Sequence, residues 1–451
     1  MKYYQILTFI VVWFAFLPAN AAERSWHELP TGNGHSFQIF DRTQGKLTTF
    51  LEEPYRFVAP LNESRDGGVE RRDLAHDIYF GIAINGESAW IDNVDTISYE
   101  SQSHIIHGQT TFNDTPIDTY YYAPFGFNGN ALVMLTRISN PGNEPLTANI
   151  YSKPNLKLGV GRPNPGDAGE TISVHDGIGY ETGPGGGHVI YAPIGNTSSM
   201  NCGSDTNLYN QLLDSGEISG NSECQGASQV LVLGESATIP PGGEFWWGSA
   251  ILFLNDNPSH EQASLFRHSG STQTFLSEWN SYLNGRSAEE EHAHALAEMD
   301  AWRSTTAPEG LTPQEQALWR QSETTLRLGQ IRNRAGENDG MMLAALPPGQ
   351  WHIGWVRDGT YAISSFAITG HTKEAKLGVE FLLGAGAGFY NTPYFDWADG
   401  YRISVCRYFG NGMEESDTNY AGPNIETDGW GLTLWAARMV IEYSCDLEWL
   451  N

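Results

Sequence analysis

From about Ser25 to about Leu254 the chain runs as short stretches of alternating apolar and polar residues, as in Ser36 to Phe40, Ala131 to Ile138 and Ala148 to Lys153. Turn residues close each stretch. Such spacing predicts strands, and many strands in succession predict an all-β sandwich over residues 25–257. Asn140 with Pro141 and Pro241 with Gly242 mark tight turns, and Gly183 to Gly187 marks a loop. The pattern changes near Pro258, after which Glu261 to Leu283 and Ala288 to Arg303 read as polar-faced helices, a linker over 258–310.

A second domain is expected over 311–451. Thr312, Pro313 and Glu315 form a helix start, because a Thr cap, a Pro in the first turn and a Glu at the third position satisfy orphan amides. Asp358 to Thr369 reads as a helix ending at Gly370, and another follows Thr372 as far as Gly384. Leu432, Trp435, Met439 and Tyr443 mark one face of a further helix. With no strand-like alternation between them, these helices argue for an α/α arrangement.

The length of 451 residues suits two domains behind a processed leader. Lys2, the apolar run Ile6 to Leu17 and the small residues around Ala19, Asn20 and Ala21 read as a secretory signal peptide over 1–21. The run is shorter than the roughly 20 residues a membrane span needs, so the mature protein is expected to be secreted or periplasmic, without a membrane partner. A net charge of -28 repels phosphate backbones and argues against nucleic acid. Among four cysteines, Cys202 and Cys224 bracket a polar segment and are candidates for a disulfide, while Cys406 and Cys445 could pair as well but read rather as two free buried thiols.

The segment Trp351 to Tyr361, WHIGWVRDGTY, carries the most chemistry. A sugar presents one apolar face and a rim of hydroxyls. Trp355 can cover the face, while Arg357 and Asp358 grip neighbouring hydroxyls through charge-assisted hydrogen bonds. The same residues also allow a plainer reading, with Asp358 as helix cap, Arg357 as its surface partner and Trp355 in the core. Pro423 to Trp435 forms a second cluster, in which Asp428 caps a helix and Glu426 stands two residues before it. The intervening loop, Tyr390 to Tyr420, carries Tyr394, Asp396, Trp397, Asp399, Glu414, Glu415 and Asp417. These can rim a pocket or hold calcium, or simply be solvated. His292 and His294 point to different sides of a helix and read as solvated rather than metal-binding.

These residues resemble glycoside hydrolase family 15, the glucoamylases and glucodextranases, whose bacterial members join an N-terminal β-sandwich to an (α/α)6 barrel. The resemblance runs through both parts in order and is strongest from Met341 to Tyr443. It implies that Trp355, Arg357 and Asp358 line the subsite for the terminal glucose, and that Glu426 and Asp428 belong to a second motif of the pocket wall. Trp351 stands where the family commonly has a Tyr facing the developing charge. The implied activity is exo-acting, inverting hydrolysis of α-glucosidic bonds, with β-glucose released from starch-type or dextran-type glucans.

By the family's motif order, both catalytic glutamates are expected beyond Asn451, so no catalytic residue is assigned and the chain reads as the first part of the barrel. Helix counting agrees: twelve helices with their connections need about 190 residues, against 141 from Leu311 to Asn451. An inverting phosphorylase or trehalase, and a non-catalytic glucan-binding protein, are the alternatives.

Overall fold

The structure of the protein, a computed structural model, describes residues 27–55, 71–255, 271–303, 305, 307–333, 338–349, 351–390, 400–415, 418–419 and 422–450. The expected leader, Pro258 and Glu261 at the start of the expected linker, and Tyr394, Asp396, Trp397, Asp399 and Asp417 lie outside them.

Two antiparallel sheets are built between Glu28 and Leu254. An eight-stranded sheet centres on Ala75–Ile84, Leu146–Leu156 and Gln229–Ile239, and a nine-stranded sheet on His188–Ile194, Glu244–Leu254 and Asn130–Ser139. The chain crosses between sheets at the two turns anticipated from Asn140–Pro141 and Pro241–Gly242. There the Asn140 amide donates to the Gly243 carbonyl oxygen (2.9 Å) and the Gly242 amide donates to that of Asn140 (2.9 Å). Gly242 adopts φ 68°, a conformation costly for any residue with a Cβ.

Ile78, Phe80, Ile82 and Ile150 of one sheet meet Leu132, Met134, Ile251 and Phe253 of the other in the central core. The outer faces are covered as well. Helix α1 (Asp205–Ser215) lays Leu208 and Leu212 over Tyr79 and Ala83. Helix α2 (Thr272–Leu283) packs Phe275, Leu276 and Trp279 over Val133, Leu135 and Leu252, with Ala295 of α3 (Ala288–Trp302) in the same cluster. Strands covered on both faces need apolar residues at successive positions. That is why Ala131 to Leu135 is continuously apolar rather than alternating. The helices read as a linker therefore lie against the sandwich, each fully buried large side chain contributing about 1.5–3 kcal/mol.

Two devices tie α1 down. The structure joins Cys202 to Cys224 across the segment that contains it. Lys153, buried in the sheet, donates to Asp77 (2.8 Å) and lies 2.9 Å from Asp205 at the helix start, its ammonium against the Tyr79 and Trp90 rings. The remaining cysteines carry no bridge. Cys406 is buried, but Cys445 is exposed at the end of a helix, where it takes the left-handed conformation at φ 53°.

Beyond the sandwich come α4 (Pro313–Leu328), α5 (Val356–Ile368), α6 (Thr372–Gly384) and α7 (Asp428–Ser444). Thr312 and Glu315 form the capping box that their spacing requires. The face expected on α7 is different. Its buried stripe is Gly429, Thr433, Ala436 and Val440, whereas Trp435 and Tyr443 are exposed, as is Leu434. Small residues win because α5 approaches closely: a Cβ on Gly429 would stand 2.9 Å from Val356 Cγ1. His292 is also corrected. It is not solvated but packs against Tyr120 and Trp246, with Nε2 2.6 Å from a Glu100 carboxylate oxygen. No helix among the described residues is long and apolar enough to cross a membrane.

Candidate functional site

The close approach at Gly429 brings the starts of α5 and α7 together, and with them the two sequence clusters. Val356 is followed by Arg357, and Gly429 is preceded by Asp428. The Arg357 guanidinium accordingly donates to both oxygens of Asp428, from Nε at 2.6 Å and Nη2 at 3.2 Å. Nη2 also lies 2.8 Å from Glu426. The Trp355 indole Nε1 donates to the same Glu426 oxygen at 2.9 Å. Glu426 is thus the joint between the clusters, held by its own amide donating to the Val405 carbonyl oxygen at 2.7 Å.

Helix α5 begins two residues earlier than expected, which makes Trp355 the N-cap position and places Asp358 inside the first turn. The plainer reading of Asp358 as cap and Trp355 as core residue does not hold. Trp355 is half-buried, and Asp358 is exposed. Likewise Asp428 is the first helical residue of α7, with Thr427 at the cap position. Carboxylates at both helix starts are favoured by the amide dipoles.

Hydrogen bonding to Arg357 holds the Asp428 carboxyl below the usual carboxylate range, and the same bond raises Arg357 above its ordinary value. Asp358 moves the other way: desolvation of its inner side raises it, with Glu426 adding to this and its own backbone amide and Arg357 opposing. The Arg357 Nη1 end and the Asp358 carboxylate make no hydrogen bond to another side chain among the described residues. A donor and an acceptor therefore stand side by side next to an indole.

Behind the indole lies a feature that the sequence did not disclose. Gly354–Trp355, Arg407–Tyr408 and Glu414–Glu415 form a small sheet whose register aligns Trp355, Arg407 and Glu415 across three strands. Arg407 is buried and ion-paired with buried Glu415. Its guanidinium carbon lies 4.6 Å from the Trp355 ring centre and 5.1 Å from that of Trp351. The two indoles meet edge to face at 5.2 Å, and Trp351 remains 43% exposed. One buried cation thus supports both rings.

Glu414 is also committed. It accepts from the amides of Gly388, Phe389 and Val405 (3.0, 2.8 and 3.0 Å) and from the Tyr401 hydroxyl (2.8 Å). The two acids of the loop that are described are therefore structural anchors rather than calcium ligands. Among the described residues no group of three or more His, Cys, Asp or Glu is placed to hold a metal ion.

Arg407→Met is expected to destabilise the protein by about 3–5 kcal/mol, because it strands Glu415 in the interior. Adding Glu415→Met should recover most of the loss, and urea unfolding of the single and double variants checks this.

No protein-family model matches the chain, and no curated protein matches it. Among solved structures it is similar to a bacterial glucoamylase complexed with acarbose, at 10% identity and a TM-score of 0.47, over 92% of this chain and 55% of that one. It is also similar to a protein from the human microbiome described as a kojibiose phosphorylase, at 11% identity and a TM-score of 0.49, over 94% and 54%. A glycosyl hydrolase of family GH92 aligns at 12% identity and a TM-score of 0.33, over 79% and 54%. The chain spans about half the length of each.

Proposed function

We propose that this chain binds the non-reducing terminal glucose of an α-glucan and belongs to an exported, exo-acting, inverting glucosidase of the glucoamylase type. The observation that carries the reading is the convergence of Trp355, Arg357, Glu426 and Asp428 from clusters 71 residues apart. An indole with one donor and one acceptor beside it is the equipment needed for a hexose, which offers an apolar face and hydroxyls that both give and take hydrogen bonds. The resemblance of WHIGWVRDGTY to the glucoamylase motif supports glucose as that hexose and the helices after Leu311 as the first part of an (α/α)6 barrel.

In this reading Trp355 covers the sugar face, Arg357 donates from Nη1, and Asp358 accepts from a neighbouring hydroxyl. Glu426 and Asp428 orient Arg357 and the indole rather than break a bond. Inverting cleavage needs two carboxylates besides these groups, one protonating the glycosidic oxygen and one activating water, about 6.5–9.5 Å apart.

The test supplies a protein that holds this chain together with such a pair of carboxylates with maltooligosaccharide or isomaltooligosaccharide, and follows the anomeric position by proton NMR. β-Glucose as first product is expected. α-Glucose would contradict inversion, and turnover that requires phosphate would assign the chain to a phosphorylase.

A further inference from the structure

We propose that the β-sandwich supplies one wall of a second sugar-binding site, a groove that takes the glucan residues next to the terminal one. The proposal rests on the terminal-glucose reading. Between the sandwich and the helical part lies a cavity of about 490 Å³, within the size range of small-ligand sites. Trp351 and His352 line it on the helical side, and Thr49, Arg71, Asp73 and Asn164 on the sandwich side.

Trp351 belongs to both places. It meets Trp355 edge to face in the clamp, yet its half-exposed indole also borders this cavity. A chain whose last sugar lies at Trp355 is therefore led along Trp351 into the space beside the sandwich.

The groove is a built structure. His352 Nδ1 donates to the Gly349 carbonyl oxygen at 2.7 Å, which leaves Nε2 to accept from Arg71 across the junction. Asp73 accepts from the amides of Phe50 (2.9 Å) and Ala75 (3.3 Å). Its own amide donates to the Pro163 carbonyl oxygen at 2.8 Å, fixing the loop that presents Asn164. One cation and one anion on the sandwich side offset each other, and the exposed Asn164 lines the same cavity as the Trp351 indole. These groups suit a neutral polyol better than an anion, in keeping with a chain of net charge -28.

The test is calorimetric titration of the 451-residue chain with glucose, maltotriose and isomaltotriose. The wild type is expected to bind one of the trisaccharides at least about tenfold more tightly than glucose, since an added stacking contact and hydrogen bonds accompany the extra sugars. Asn164→Ala, in an exposed loop, should lower trisaccharide affinity about fivefold with glucose unchanged. Asn164→Trp, which fills the space, should abolish the trisaccharide advantage. Equal affinities for glucose and both trisaccharides, all lost on Trp355→Ala, would overturn the groove and leave the terminal site standing. Absence of glucose binding by the wild type would overturn the terminal-glucose reading and the groove with it.

Discussion

Trp355→Ala is expected to weaken maltose binding by the chain about thirtyfold to a thousandfold, an effect of about 2–4 kcal/mol, typical of a central aromatic anchor. The loss has two parts. The sugar loses its apolar platform, and Glu426 loses the indole N–H that fixes the oxygen shared with Arg357. Trp355→Phe keeps a ring face but not that N–H, so it should recover only part of the affinity. Asp358→Ala should also weaken binding strongly, because it removes the acceptor without touching the Arg357–Asp428 pair. Isothermal titration with maltose reads all three. Wild-type affinity in Trp355→Ala would mean that the indole is merely packed.

The second large effect is a fall in stability with rising pH. Glu170 and Glu181 are both buried between neighbouring strands of the sandwich. Burial, a hydrogen bond with Asp167 and the nearby Glu181 push Glu170 up to about 9. Burial pushes Glu181 up to about 8, the charge of Asp167 adding to it and the Tyr191 hydroxyl opposing. Unfolded, both ionise near 4.5. Below that pH the two states hold the same protons and their contribution is intact. Above it unfolding releases protons, so stability declines until the folded pKa values are passed. At about 1.4 kcal/mol per pKa unit, the expected decline is several kcal/mol. Thermal unfolding from about pH 5 to about pH 9 should show a falling midpoint, and Glu181→Gln, which mimics the protonated acid, should flatten it. A midpoint independent of pH in the wild type would refute the assignment. On the acid side Asp118 acts oppositely. Its hydrogen bonds from His107, Arg137 and Gln109 outweigh its desolvation and hold it at about 2, so its contribution is lost as pH falls from 3.8 through that value.

What could be read from sequence alone was whatever is encoded locally. The strands, the two crossover turns and the Thr312 capping box follow from neighbouring residues, and WHIGWVRDGTY declared its chemistry within eleven positions. What depends on distant partners stayed hidden. Glu426 looked unremarkable because its partners Trp355 and Arg357 lie about 70 positions upstream, and Arg407 because it sits in a loop whose strands are two residues long. The α7 face was misread for a related reason. Large apolar residues dominate periodicity, but the helix pair packs through Gly429 and Ala436, whose value is the volume they omit. The alternation expected along Ala131 to Ile138 failed because nothing local announces that a helix from beyond residue 270 will cover the strand's second face.

The bridge around α1 carries a consequence for where the chain can be made. Closing a loop of 22 residues removes about 3 kcal/mol of freedom from the unfolded chain in the entropic account of such cross-links. In a thiol-reducing cytosol that restraint is missing, and the helix depends on Leu208, Leu212 and the Lys153 contact with Asp205. Recombinant material from an oxidising host and from a reducing one would thus share a sequence but differ in how firmly one outer layer is fastened.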